Sequence, residues 1–219
     1  MLTRQEVNRK LLHLIALLMP IGIFYIPKIT NLPLWIPPFM LAVLFILSAF
    51  LEWARFKYPK IQILYNRCFK STLRKNEEKK TTGATYIIGG AMICAVVFIN
   101  APHISFTVLT LFILGDGIAA ITGLGIGRIK LSGKTLEGSL ACFGLCILIC
   151  TLIFPHVPFL YQDWRISLSW SFSLTASFLI TLLEFFPFKI SKNHILNDNI
   201  YVPVLSGIVL QTLLPFFRS

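Results

Sequence analysis

Seven runs of apolar residues, separated by polar or charged stretches, divide the chain. A transmembrane helix needs about 17 to 25 apolar residues, and the runs meet this length, the third only just. Together they predict an all-α fold, a polytopic bundle of about seven transmembrane helices that forms one integral membrane domain over residues 1–219. The predicted segments are 11–27, 34–52, 83–99, 103–122, 138–154, 166–183 and 200–217.

Composition agrees with this interpretation, because 56% of the residues are hydrophobic and the mean hydropathy is +0.76. The net charge of +11 would suggest a nucleic-acid partner in a soluble protein. In a membrane protein it indicates cytoplasmic loops that face anionic lipid or an anionic substrate, so no nucleic acid is expected. Three cysteines at four-residue spacing, Cys142, Cys146 and Cys150, predict a helix stripe of small packing residues.

The positive-inside rule predicts a cytoplasmic N-terminus and an outside C-terminus, which puts 17 of the 20 Lys and Arg residues inside. The first apolar run lacks a small-residue cleavage site, so we expect a retained helix in a multi-pass protein, located in the inner membrane if bacterial. The basic cytoplasmic loop 53–82 predicts an amphipathic helix on the membrane surface. Either it contacts anionic lipid or it covers an active site.

Candidate chemistry is concentrated in Gly115–Phe143, where Asp116 lies inside an apolar run. An ionised carboxylate in the hydrocarbon region costs about 2.5 to 3.5 kcal/mol, so Asp116 is a functional candidate. Acidic residues border several apolar segments, and a bundle can gather them beside cations near the cytoplasmic face. The acids are Glu52, Asp116, Glu137, Glu184 and Asp198, and the cations are Arg9, Lys10, Arg128 and Lys134.

The glycines after Asp116 have two interpretations, close helix packing or a cradle for phosphate. Packing has about half the weight for Gly123, whereas Gly125 and Gly127, beside Arg128, favour phosphate. GRIKLSGKT is not a P-loop, because five residues separate Gly127 from Gly133 where four are required. Lys134 remains a point charge for phosphate, with hydroxyls and a helix start beside it at Thr135, Glu137, Gly138 and Ser139. KTLEGS also resembles ordinary helix capping.

Two further groups of residues each have a structural and a functional interpretation. Arg9, Lys10 and His13 share one face of the helix that enters the membrane. A positive-inside anchor explains the two cations but not His13. Thr82, Gly83 and Thr85 open the third segment as either a helix cap or a phosphate contact, at even odds. Asp198 precedes the last segment and is the better functional candidate of the Asn197–Asn199 turn.

These motifs, in this order, resemble the dolichol kinase, phytol kinase and CTP-dependent diacylglycerol kinase family. The resemblance spans nearly the whole chain and includes Glu6-x-x-Arg9-Lys10-x-x-His13, Thr82-Gly83-Ala84-Thr85, Gly115-Asp116, Lys134-Thr135-x-Glu137-Gly138-Ser139 and Asp198-Asn199. It implies an enzyme that uses magnesium to transfer the terminal phosphate of CTP to the hydroxyl of a lipid alcohol. The acceptor would be a polyprenol, a phytol or dolichol-type isoprenoid, or diacylglycerol.

For this reaction we expect Asp116 and Glu137, with Asp198, to bind magnesium. Lys134, Arg128 and the glycine backbone would then stabilise the transferred phosphate. Arg9, Lys10 and His13 would face the lipid hydroxyl at the cytoplasmic side, with His13 or Asp116 as the base. Two alternatives remain open, a phosphatidate cytidylyltransferase that makes a CDP-lipid and a non-catalytic lipid transporter.

Overall fold

The computed structural model describes residues 13–69, 80–131, 133–160, 170–191 and 194–217. Helices dominate these residues, with two short antiparallel hairpins between them. The helices are α1 Leu18–Thr30, α2 Ile36–Lys57, α3 Pro59–Cys68, α4 Gly83–Val97, α5 Pro102–Gly125, α6 Leu136–Leu148, α7 Trp170–Phe185 and α8 Asp198–Phe217. The strands are β1 Lys130–Leu131, β2 Lys134–Thr135, β3 Lys189–Ser191 and β4 His194–Ile195.

The all-α fold class is confirmed, and the apolar helices indicate an integral membrane protein. Among the described residues, five helical stretches are long and apolar enough to cross a bilayer: His13–Thr30, Ile36–Lys57, Pro102–Gly125, Leu136–His156 and Asp198–Phe216. The last turns of the fourth are π-helical and 3₁₀-helical. Helices α4 and α7 are apolar but have only 15 and 16 residues. Seven spanning helices therefore stays a prediction.

Helix α5 is the centre of the bundle and packs against α1, α4, α6, α7 and α8. Its side chains Leu109, Leu111 and Phe112 are fully buried. By contrast, α2 leaves large apolar side chains such as Phe39 and Phe50 exposed along its length. An apolar exposed face of this length fits contact with lipid. The fold thus places Asp116, which lies in α5, at the centre and not at the lipid boundary.

Two glycines allow α4 and α8 to pack closely, one against backbone and the other against an aromatic ring. A Cβ at Gly90 would overlap the carbonyl oxygen of Asn199, and one at Gly207 would lie 2.5 Å from the Phe98 ring. Small residues allow membrane helices to approach this closely. The contact at Gly90 fixes the start of α8, where Asn199 follows Asp198, against α4.

The basic segment 53–82 differs in part from its prediction. Residues 53–57 continue α2, and the chain turns at Tyr58, which has an extended backbone. Pro59 then begins α3, a ten-residue helix with no buried residue. A surface helix is therefore present, although residues 70–79 lie outside the described part.

The sequence interpretation did not include the two hairpins. Strands β1 and β2 pair so that Lys130 lies opposite Thr135 and Leu131 opposite Lys134. Gly133 in the turn has a φ of 87°, a conformation that glycine adopts without steric cost. A two-residue turn with glycine at positive φ is typical of tight hairpins. The helix-period analysis missed strands this short.

Cys68 offers a direct measurement of orientation, because it is exposed while the other four cysteines are buried and free. We expect a membrane-impermeant maleimide to label the protein only after the cytoplasmic face is made accessible, as in inverted vesicles. Cys68→Ser should abolish that labelling. Modification of Cys68 in intact cells would contradict the predicted cytoplasmic position of the basic segment.

Candidate functional site

The β1–β2 hairpin carries Lys134 from the end of α5 back to the ends of α7 and α8. Lys134 Nζ lies 2.5 Å from Oε1 of Glu184 and donates to the backbone carbonyl of the same residue. It also lies 3.3 Å from Oδ2 of Asp198. Glu184 is near the C-terminal end of α7 and Asp198 begins α8. One cation therefore joins three separate elements.

The charges around Lys134 stabilise its protonated form. Burial alone would lower the pKa of Lys134, but attraction to Glu184 and Asp198, with a smaller contribution from Asp116, raises it above its usual value. Lys134 is therefore a permanent cation at neutral pH. Two carboxylates contact this lysine and Asp116 adds a weaker attraction, so a further cation near these acidic residues would be favourable.

Asp116 lies close to the N-terminal helical segment. Its Oδ2 is 3.4 Å from Nε2 of His13, and the two side chains are 19% and 16% exposed. A Cβ added at the neighbouring Gly117 would meet nothing within 4 Å. Space is therefore open beside Gly117, and the side chains of Asp116 and His13 are partly exposed, with Nε2 of His13 itself buried. Arg9 and Lys10, predicted to act with His13, lie outside the described residues.

Glu137, predicted to bind magnesium, has structural partners in this fold. Its Oε1 accepts hydrogen bonds from the backbone N–H groups of Arg128 (2.9 Å) and Ile129 (3.2 Å). Thr135 caps α6, since its Oγ1 accepts from Gly138 N at 3.2 Å. Arg128 itself is exposed. Glu137 shapes the loop between α5 and β1, and its role in metal binding stays a prediction.

Three of the predicted phosphate-binding glycines allow close packing around Thr135. A Cβ at Gly123 would lie 2.6 Å from Thr135 Oγ1, one at Gly127 would lie 2.7 Å from its Cγ2, and one at Gly138 would lie 2.9 Å from its Oγ1. Gly125, the last residue of α5, is exposed. The Ser139 hydroxyl donates to the Thr135 carbonyl at 3.3 Å. The packing interpretation therefore accounts for these three glycines.

The hydroxyls that open α4 bind a protein carboxylate. Oε1 of Glu52 accepts from Thr82 N at 3.0 Å, from Thr82 Oγ1 at 2.7 Å and from Thr85 Oγ1 at 3.3 Å. Arg55, which is fully buried, bonds Glu52 Oε2 at 2.6 Å and the Lys80 carbonyl at 2.6 Å. We call Glu52, Arg55, Thr82 and Thr85 the α2–α4 clamp. The clamp holds the start of α4, including Gly83, against the end of α2.

Sequence reasoning left Glu184 out of the predicted site, although it noted this acid at the end of an apolar segment. The structure makes Glu184 the nearest partner of Lys134. Its second oxygen, Oε2, is buried and has no hydrogen-bond partner among the described residues. The sequence does contain a signal for Glu184. This acid ends an apolar segment on the same predicted side of the membrane as Lys134, the predicted phosphate-binding lysine.

Magnesium fits the donor chemistry of this region. Within the described ranges, no three His, Cys, Asp or Glu side chains form a ready metal cage. Magnesium is usually bound by one or two carboxylates together with phosphate oxygens and water, so no such cage is required. Asp116 and Asp198 are partly exposed and both attract Lys134, and the buried Oε2 of Glu184 has no hydrogen-bond partner among the described residues.

A cavity of about 370 Å³ opens beside Lys134. It lies between α4 and the start of α8, within the size range of small-molecule sites. Aromatic, aliphatic and amide groups line it together with the charged pair. The lining residues are Tyr86, Lys134, Pro187, Leu196, Asn197, Asp198, Ile200 and Tyr201.

Fold and site together define an integral membrane helix bundle with a charged, partly open cluster where several helix ends meet. The chain is similar over its full length to the CTP-dependent diacylglycerol kinase 1 of Saccharomyces cerevisiae, with 25% identity covering 77% of the yeast protein. It is also similar to uncharacterized proteins of Rickettsia prowazekii and Methanocaldococcus jannaschii. Both relatives are 24% identical to this chain. The match covers 96% of this chain and 95% of the Rickettsia protein, and 94% of this chain and 93% of the Methanocaldococcus protein. No protein-family model and no solved structure matches the chain.

The α2–α4 clamp predicts that loss of Arg55 lowers the free energy of unfolding much more than loss of its neighbour Lys57. Replacing Arg55 by Met leaves the buried Glu52 carboxylate without its ion-pair partner, which should lower the free energy of unfolding by about 3 to 5 kcal/mol. Lys57→Met removes surface contacts with the Trp53 and Tyr58 rings, and we expect this loss to cost about 1 kcal/mol or less. Denaturant titration of both variants in mixed micelles measures the difference. Equal losses would show that the clamp adds no stability.

Proposed function

We propose that this protein is a membrane lipid kinase that transfers the terminal phosphate of CTP, or of another nucleoside triphosphate, to the hydroxyl of a lipid alcohol. The observation that carries the proposal is the position of Lys134, held between the carboxylates of α7 and α8 and within electrostatic reach of Asp116. The full-length similarity to a CTP-dependent diacylglycerol kinase supports the same reaction.

Lys134 supplies the fixed positive charge for the donor phosphates. Phosphoryl transfer depends mainly on positioning and on charge stabilisation, so a permanently protonated lysine suits this role. In the absence of a nucleotide, Glu184 and Asp198 neutralise Lys134 and hold it at the cluster. Arg128, exposed in the neighbouring loop, adds a second positive charge for the phosphate chain.

Asp116 and Asp198 are the residues best placed to hold magnesium. Bound there, the ion would neutralise charge on the donor phosphates. Glu184 remains the buried partner of Lys134. For Glu137 to bind magnesium as predicted, its carboxylate would have to break its hydrogen bonds with the backbone N–H groups of Arg128 and Ile129.

The acceptor hydroxyl approaches from the side of His13 and Asp116. The alcohol oxygen forms a bond to the terminal phosphorus, the bond from that phosphorus to the bridging oxygen breaks, and the nucleoside diphosphate leaves. The alcohol proton passes to the His13–Asp116 pair, whose nitrogen and oxygen are 3.4 Å apart. Arg9 and Lys10, four and three residues before His13, would balance the charge of the transferred phosphate.

The lipid acceptor reaches this cluster from the membrane. Its apolar tail would stay among the helices while its hydroxyl meets the charged residues at the helix ends. Polyprenol, phytol, dolichol-type alcohols and diacylglycerol share this design, one hydroxyl on a long apolar body. A panel of these alcohols with purified protein identifies the acceptor.

Labelled nucleotide separates the proposed reaction from its alternatives. With the proposed kinase, label from the γ-phosphate of CTP enters the lipid fraction and the cytidine label does not. Transfer of cytidine to phosphatidate would instead indicate a cytidylyltransferase. If no label enters lipid with any of the four nucleoside triphosphates and Asp116→Asn abolishes lipid flux, the protein is a transporter.

The two lysines of the β1–β2 hairpin provide a matched pair of variants. Lys134→Met should lower kcat about 100-fold to 1,000-fold, because it removes the charge that stabilises the transferred phosphate. Lys130→Met, on the exposed strand β1, should keep activity within about twofold. Initial rates of γ-phosphate transfer measure both.

Lys134→Met leaves Glu184 buried without its cation and could therefore disturb folding. A second substitution distinguishes a folding defect from a loss of catalysis. Asp116→Asn does not alter that pair and should cause a loss of kcat of similar size, with a thermal midpoint close to that of the unaltered protein. Full activity in either well-folded variant would contradict the proposed roles.

A further inference from the structure

The cavity beside Lys134 combines charged and apolar lining. Lys134 and Asp198 are its charged lining residues and contact each other, and the remaining lining is aromatic or aliphatic with a single uncharged amide, that of Asn197. A ligand that fills it therefore has a charged part next to Lys134 and a largely apolar, flat or compact part next to the tyrosines. A nucleotide has this layout, with phosphates at one end and a heteroaromatic ring at the other.

The two tyrosines differ in what holds them. Tyr201 is buried, and its hydroxyl donates to the Leu183 carbonyl at 2.9 Å and lies 3.1 Å from that of Phe186. Its ring is therefore a fixed wall. Tyr86, on α4, also lines the cavity and is only half-buried. Aromatic rings in grooves of this kind stack on nucleobases.

The Asn197 amide has a defined orientation. Its Oδ1 accepts a hydrogen bond from the backbone N–H of Asn199 at 3.0 Å. Since a backbone N–H can only donate, the amide oxygen must face Asn199 and the amide nitrogen is directed elsewhere. None of the described residues accepts a hydrogen bond from Nδ2. Asn197, which lines the cavity together with the two tyrosines, thus has an amide donor with no acceptor among the described residues.

Resting on the proposed kinase function, we propose that this cavity is the base-binding subsite for the phosphate donor, with Tyr86 stacking on the base and Asn197 Nδ2 donating to a ring acceptor. Position 3 of the cytosine ring is an acceptor, whereas the same position of uracil carries a hydrogen. A fixed amide donor therefore prefers cytosine, because uracil would place two donors against each other. Asn197 is on this basis a specificity-determining residue for CTP over UTP.

A lipid acceptor has different requirements. Its long apolar body matches the exposed apolar faces of helices such as α2. It has no aromatic ring that could stack on Tyr86, and its hydroxyl is the one hydrogen-bonding group that all of these alcohols share. The cavity instead lies where α4, α8 and the residues between α7 and α8 meet, next to the charged cluster. The base and the lipid tail are thus assigned to separate parts of the molecule.

The decisive variant is Asn197→Asp in the full chain, purified and reconstituted in nanodiscs. Aspartate keeps an oxygen that accepts from the Asn199 N–H, so the turn is retained, but it has no N–H to donate. We expect the KM for CTP to rise about 10-fold or more, the preference for CTP over UTP to fall by a similar factor, and the KM for the lipid alcohol to stay unchanged. Tyr86→Ala should also raise the KM for CTP, and Tyr86→Phe should restore it because the ring is kept.

The matched control is Thr212→Ala, an exposed position whose hydroxyl bonds only the Val209 carbonyl, three residues before it in α8. It should leave both KM values unchanged. Unchanged nucleotide kinetics in Asn197→Asp and Tyr86→Ala would overturn the base subsite while leaving the kinase function intact. A selective rise in the lipid KM would also overturn it and would place the lipid head group in the cavity.

Equilibrium binding separates failure of this subsite from failure of the proposed reaction. Labelled CTP and UTP are titrated against the reconstituted protein without lipid acceptor. Preferential CTP binding that Asn197→Asp removes supports the subsite even if no phosphate is transferred. Equal binding of the two nucleotides by the unaltered protein overturns the subsite.

Discussion

The contact of Lys134 with Glu184 and Asp198 is the interaction on which the candidate site depends. Glu184 is buried at the end of an apolar helix, where an unpaired carboxylate is costly, and Lys134 offsets that cost. In return the carboxylates fix a lysine that would otherwise sit on a short exposed hairpin. The three residues come from the β1–β2 hairpin, α7 and α8, so the relative positions of these elements and the site charges depend on one another.

Much of this architecture follows from the residue pattern, because membrane helices have a strict length requirement and a strong apolar signal. A carboxylate within an apolar run makes Asp116 a functional candidate from sequence alone, and the structure places it in the central helix α5, beside His13. Four-residue spacing also predicts that Cys142, Cys146 and Cys150 share one helix face, and all three are buried, the first two in α6 and Cys150 in the π-helical turn that follows it.

Other features depend on three-dimensional contacts that no local pattern encodes. The hairpin around Gly133 has strands of two residues, too short for a periodicity signal. Thr82 has the same sequence signal whether it binds a phosphate or a carboxylate, and only the approach of Glu52 on α2 decides its partner. Glu184 gained its importance from a lysine 50 positions earlier, a pairing visible only after folding.

The backbone contact between α4 and α8 at Gly90 has a consequence for the proposed kinase reaction. With Asn199 against α4, these two helices leave no gap at Gly90 through which a ligand could enter sideways. In the proposed reaction, a water-soluble donor would approach along the helix ends, while an acceptor dissolved in the bilayer would arrive laterally. Two independent entrances would allow both substrates to be present at once. Such an arrangement would favour direct transfer within a ternary complex over a phosphorylated-enzyme intermediate.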